Sequence, residues 1–94
     1  MKVYVWDDEK NKWLQESRSI SFEDIVAAIN SGDILDDFPH PNQARYPHQR
    51  MKIVKWKNYA YAVAYIEDEQ KYFLKTAYPS RTAKRKYVKK KGVL

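Results

Sequence analysis

Three apolar runs follow one another between Met51 and Ala77 with only short breaks between them, and they constrain the fold more than any other feature. Met51 to Trp56 is the first run. Lys57-Asn58 is a two-residue turn signal. Tyr59 to Ile66 is the second run, with Tyr59, Tyr61, Val63 and Tyr65 on one face and Ala60, Ala62, Ala64 and Ile66 on the other. A strand clothed on both faces belongs in the middle of a sheet. Glu67-Asp68-Glu69 makes the next turn. Lys71 to Ala77 is the third run, with Tyr72, Leu74 and Thr76 alternating against Lys71, Phe73 and Lys75. Three such runs form an antiparallel meander, and a meander needs a layer to cover it.

The N-terminal part supplies that layer. Val3 to Trp6 reads as a short strand. Asp7 caps a helix reaching about Ser17, with Asp8 and Glu9 in its first turn and Trp13 and Leu14 facing inward. Ser21 and Asp24 have capping-box spacing, and Ile20 and Ile25 take the staple positions. Phe22, Ile25, Val26 and Ile29 then draw one helical stripe, which Gly32 ends. Residues 33–49 read as a break, with three prolines, both histidines and at most a brief strand at Ile34-Leu35. After Pro79, Ser80 opens a short basic helix with Ala83, Tyr87 and Val88 inward. The expected fold is α+β. A small antiparallel sheet of three or four strands carries two N-terminal helices and a short C-terminal basic helix. One domain spans residues 1–91, and residues 92–94 form a disordered tail.

Charge narrows the function. The 94 residues carry a net +6, unevenly divided. Residues 1–49 hold 5 basic and 9 acidic groups, and residues 50–94 hold 13 basic and 3 acidic groups. Such a split points to a polyanionic partner, nucleic acid before membrane. With no cysteine, thiol chemistry and Cys-based zinc sites are excluded, and 2 glycines leave no phosphate-cradling loop. No apolar run is long enough to span a bilayer, and the N-terminus lacks signal-peptide character, so a cytoplasmic location is expected. His40 and His48 have no acid between them and form no HExxH, so neither metal nor cofactor is expected.

Particular residues also resemble a family. Val5-Trp6-Asp7-Asp8-Glu9-Lys10-Asn11-Lys12, followed by Ser19-Ile20-Ser21-Phe22-Glu23-Asp24, is similar to the opening of BrnT-type toxins, with Ser19-Ile20 where Gly-Val is usual. Arg50-Met51-Lys52-Ile53-Val54 resembles their basic start of the meander. The stretch from Lys75 to Tyr87 resembles their basic close, with Lys75 where Arg is common. The resemblance implies a RelE/ParE-like fold and the toxin half of a bacterial type II toxin–antitoxin pair. It implies a metal-independent endoribonuclease that cleaves mRNA, free or ribosome-bound, and inhibits growth. It further implies a cognate DNA-binding antitoxin whose acidic segment covers the basic face, and no membrane partner. The alternative is a non-enzymatic ParE-like or nucleic-acid-binding module.

Under that resemblance Arg50, Lys75 and Arg81 are expected to clamp the scissile phosphate. His48 or Tyr87 is the candidate acid or base, and a desolvated lysine is a further option for the base. Lys52, Lys71, Lys84, Arg85 and Tyr46 are the expected RNA-binding residues, through charge and stacking.

Overall fold

A computed structural model describes residues 2–89. The order is β1 (Val3–Trp6), α1 (Asp8–Arg18), α2 (Phe22–Asn30), β2 (Ile34–Pro39), β3 (Gln49–Trp56), β4 (Tyr59–Glu67), β5 (Lys71–Pro79) and α3 (Arg81–Ala83), which runs into a π-helical segment, Lys84–Lys89. The fold is α+β, as the sequence implies. The sheet differs in two ways. It has five strands, in the order β1-β5-β4-β3-β2, and it is mixed, because β1 runs parallel to β5. The chain between these two parallel strands passes through α1 and α2 to β2 at the opposite edge and returns through β3 and β4 to β5. The brief strand at Ile34-Leu35 is a full six-residue edge strand, with a bulge between Ile34 and Asp36. The tail at 92–94 lies outside the described residues.

β4 occupies the middle and pairs with β3 and β5 along almost its whole length. Its bulky face holds Val63 and Tyr65, packed with Val54, Leu74 and Ala77 against Leu14, Ile20, Phe22, Ile25 and Ile29 of the helical layer. Its alanine face holds Ala60, Ala62 and Ala64, packed with Met51, Ile53 and Ala83. The C-terminal segment therefore lies on the sheet face opposite α1 and α2. Small side chains allow it a close approach. On β5 the strict alternation fails at a bulge beside Ala64 and Tyr65, which leaves Lys75 out of register. Ala77, rather than Thr76, consequently joins Leu74 in the helix-side core.

Local signals place both helices. The Asp7 carboxylate accepts from the backbone N–H of Glu9 at 2.8 Å. Ser21 and Asp24 complete the reciprocal capping box, each accepting at 3.0 Å. Gly32, at φ 83, lets the chain turn after α2. Trp13 does not face inward as expected. It is 42% exposed, with Lys10 and Arg18 against its ring. The second inward residue of α1 is Asn11, at 8% exposure. Its Oδ1 accepts from the N–H of Phe22 at 2.7 Å, and its Nδ2 donates to Glu23 at 2.7 Å. Asn11 thus satisfies a donor at the start of α2 that has no partner within that helix.

Replacing Asn11 by Ala leaves the buried Phe22 N–H without its partner. The expected loss is about 1–3 kcal/mol, read as a lower urea midpoint with an unchanged m-value.

Candidate functional site

β2 carries two adjacent carboxylates, and strand alternation sends them to opposite faces of the sheet. Each organises a separate cluster.

Asp37 faces the helical side. It pairs with Lys52 across β2 and β3, and its Oδ2 accepts from the Lys52 Nζ at 2.7 Å. The Tyr65 hydroxyl donates to the same carboxylate, 2.7 Å from Oδ1 and 2.8 Å from Oδ2. Arg50 Nε reaches both Asp37 Oδ1 and the Tyr65 hydroxyl at 3.2 Å. The Lys52 ammonium also lies 4.2 Å from the Tyr65 ring centroid. Lys52 is only 6% exposed and Tyr65 only 1%. Burial by itself raises the Asp37 pKa. Hydrogen bonds from Lys52 and Tyr65 and the charges of Lys52 and Arg50 outweigh it, and the carboxyl ends below its usual range. Burial likewise opposes the charge on Lys52, but its bonds to Asp37 and Tyr65 win and its pKa is raised. This cluster is a structural tie between the edge strand and the core. Lys52, expected on an RNA surface, is committed to the interior.

Asp36 faces the other side, where the Tyr87 hydroxyl donates to its Oδ2. That bond, first among its causes, lowers the Asp36 pKa. The two residues stand on the wall of a groove of about 490 Å³ between β2, β3, β4 and the C-terminal segment. Its floor is apolar, with Phe38, Met51, Ile53, Ala62 and Ala83. Its rim carries His40, Tyr78, Ser80, Thr82, Lys86 and Tyr87. Ser80 caps α3 by accepting the Ala83 N–H at 3.1 Å, so its hydroxyl proton is free to donate. His40 Nδ1 accepts from the Asn42 N–H at 3.0 Å. The neutral ring in this arrangement carries its proton on Nε2.

The expected site residues therefore separate. Tyr87 enters the groove, and Arg81, Lys84 and Arg85 belong to the segment that forms its wall, which also brings in Lys86, a residue outside the expected set. Arg50 and Lys52 lie on the opposite sheet face, in the Asp37 cluster. Lys75 projects from the β5 bulge with its ammonium 5.1 Å from the Phe73 ring. Arg50, Lys75 and Arg81 thus converge on no single point. Lys71 stands at the far end of β5, bonded to Asp68 at 2.9 Å. With the neighbouring backbone N–H groups, that bond takes the Asp68 pKa down to about 2. His48 is exposed at φ 68, outside the groove. Tyr46 packs its ring 4.5 Å from that of His40.

Of the polar groove residues only Tyr87 belongs to the expected site; Asp36, His40, Ser80, Thr82 and Lys86 do not. Asp36 follows Ile34-Leu35 and precedes Phe38, an apolar frame that signals a strand, but two adjacent acids read as loop. Among the described residues no three His, Cys, Asp or Glu side chains converge to hold a metal. Among the same residues no helix is long and apolar enough to cross a membrane.

A family model described as a domain of unknown function, DUF4258, matches residues 14–79. The chain belongs to the DUF4258 family. No curated protein and no solved structure gives a significant match. The matched span of this DUF4258 chain holds α2, β2–β5 and the whole Asp37 cluster. Ser80, Lys86 and Tyr87, on one wall of the groove, fall beyond it.

Asp37→Asn removes the charge that holds Lys52. Because the Asp37 side chain is 33% exposed, the loss is smaller than for a fully buried pair, about 1–3 kcal/mol. A carboxyl whose folded pKa is depressed stabilises the fold above its unfolded pKa, and the contribution fades as pH falls through the folded value. Wild-type stability should therefore drop as pH falls below about 4, whereas the variant loses less over that window. Urea midpoints between pH 2 and 7 measure both effects.

Proposed function

We propose that this DUF4258 protein is the toxin of a type II toxin–antitoxin pair. In this reading it is an endoribonuclease of RelE/ParE-like architecture that cuts mRNA without a metal. One observation carries the proposal. The four ion pairs among the described residues are Lys2–Glu67, Lys71–Asp68, Arg50–Asp37 and Lys52–Asp37. None involves a cation of the C-terminal segment. Among the described residues Arg81, Lys84, Arg85 and Lys86 form no ion pair; Lys86 lines the groove beside the hydrogen-bonded Tyr87, and the other three stand on the same short segment outside that lining. A polyanionic strand laid there meets cations at its phosphates and an apolar floor beneath its bases.

The groove chemistry fits transesterification by the 2′-hydroxyl. Tyr87 already donates its proton to Asp36, so its oxygen lone pairs are available to a substrate. As the 2′-hydroxyl attacks phosphorus, its proton passes to the Tyr87 oxygen while the Tyr87 proton passes to Asp36. Arg81 and Arg85 stabilise the charge on the five-coordinate phosphorus, and Lys86 protonates the leaving 5′-oxygen. Arg50 and Lys75 take no part in this scheme, which replaces the three-cation clamp expected from the sequence. The order of strand, two helices, meander and basic close also supports the toxin reading.

Purified protein incubated with RNA and EDTA is expected to cleave it, and inducible expression to arrest growth. Tyr87→Phe and Arg81→Ala should each slow cleavage by about 10²-fold or more while the fold is retained. Full activity in folded Arg81→Ala and Tyr87→Phe proteins overturns the assignment. Growth arrest with intact RNA, in the tube and on ribosomes, favours a non-enzymatic toxin that binds a protein target.

A further inference from the structure

At the end of the sheet away from the ion pairs, the β3–β4 hairpin carries a compact aromatic ladder. The Trp56 and Tyr61 rings meet edge to face with centroids 5.8 Å apart, and Tyr59 meets Tyr61 at 5.9 Å. Each outer ring holds a lysine ammonium. Lys57 lies 4.5 Å from the Trp56 ring centroid, and Lys84 lies 4.7 Å from that of Tyr59. All three rings are partly exposed. The turn is a tight two-residue one, with Lys57 at φ 51 and Asn58 at φ 61, the pair of positive values that this hairpin turn requires. So short a turn keeps Lys57 next to the Trp56 ring.

The local charge is positive. Lys55, Lys57 and Lys84 form none of the ion pairs found among the described residues. Asp24 and Asp33 line the shallow depression next to Lys55 and Lys57, and Asp24 is already engaged with the Ser21 backbone. Aromatic rings bracketed by ammonium groups match the two repeating features of a flexible single strand, flat bases and regularly spaced phosphates. A duplex hides its base faces, and an acidic peptide does not alternate flat rings with charges at a regular spacing.

We propose that the β3–β4 hairpin, through Trp56, Tyr59, Tyr61, Lys57 and Lys84, is a docking surface for single-stranded nucleic acid outside the groove. The proposal deepens the ribonuclease reading, because Lys84 joins this surface to the groove wall. It also survives that reading's failure, since it requires binding and no cleavage.

The test is binding of the full chain to fluorescent 20-mers of oligo(U) and oligo(dT) across a salt series. The wild type is expected to bind both, since stacking and phosphate contacts ignore the 2′-hydroxyl. Lys57→Glu/Lys84→Glu should weaken binding at least about tenfold and flatten the log–log salt slope by about 1.4, as expected for two lost phosphate contacts on a single strand. Lys57→Arg/Lys84→Arg should bind as the wild type does. Lys2→Glu/Arg45→Glu makes the same change in net charge away from the surface and should lose much less. Equal losses in the two reversed pairs overturn the proposal, as does failure of the wild type to bind either strand at low salt. Binding of oligo(U) alone overturns the stacking account. Binding that depends on Lys57 and Lys84 without any RNA cleavage rejects the nuclease reading and keeps this surface. Cleavage with binding indifferent to both lysines does the reverse.

Discussion

The asymmetry of β4 determines how the rest of the molecule is assembled. Its two faces differ in bulk rather than in polarity. Val63 and Tyr65 fill the space beneath α1 and α2, whereas Ala60, Ala62 and Ala64 leave the other face low. A low surface accepts the backbone of α3 and the π-helical segment at short range, with Ala83 as the contact. Large residues at those three positions would lift the segment away and remove the groove wall that holds Tyr87. The helical layer and the groove are thus consequences of one strand, read from its two sides.

The tandem acids of β2 extend that division to the edge of the sheet. Asp37 points into the helix side and closes a cluster with Lys52, Tyr65 and Arg50. Asp36 points into the groove and bonds Tyr87. An edge strand with inward charges is also a poor template for unwanted pairing, and its bulge reinforces that. One dipeptide therefore anchors the edge strand, fixes a buried lysine and positions the tyrosine on which the proposed chemistry turns. The positive half of the chain is divided in consequence. Arg50 and Lys52 are absorbed into structure, Lys71 is paired at the turn, and Arg81, Lys84, Arg85, Lys86 and the hairpin lysines form no ion pair among the described residues.

Much of the scaffold was legible in the sequence. The meander, both helix caps and the central position of β4 follow from period-2 alternation and from side chains that hydrogen-bond their own backbone. Those are local effects. The misread parts depend on distant partners. Asp36 and Asp37 look like loop residues until Lys52 and Tyr87 are known to meet them. Trp13 looks like core until Lys10 and Arg18 flank it at the surface. The parallel pairing of β1 with β5 joins residues nearly 70 apart, and no local pattern signals it. The candidate site was the least legible part, because the clamp of Arg50, Lys75 and Arg81 came from the family resemblance and from an assumed neighbourhood of the meander start and the last helix. Strand alternation and the β5 bulge send those cations in different directions.

Residue order alone implies an α+β chain with an apolar central strand, two capped helices and a strongly basic second half. Propensity, capping and charge are properties of residues and their near neighbours, so they need no fold to be read. Packing in three dimensions settles which of the described cations are internal and which lie at the surface, and which side of the sheet each carboxylate serves. Those outcomes depend on the register of β2 against β3 and on the face that the C-terminal segment covers. Both are set by packing between elements far apart in the chain.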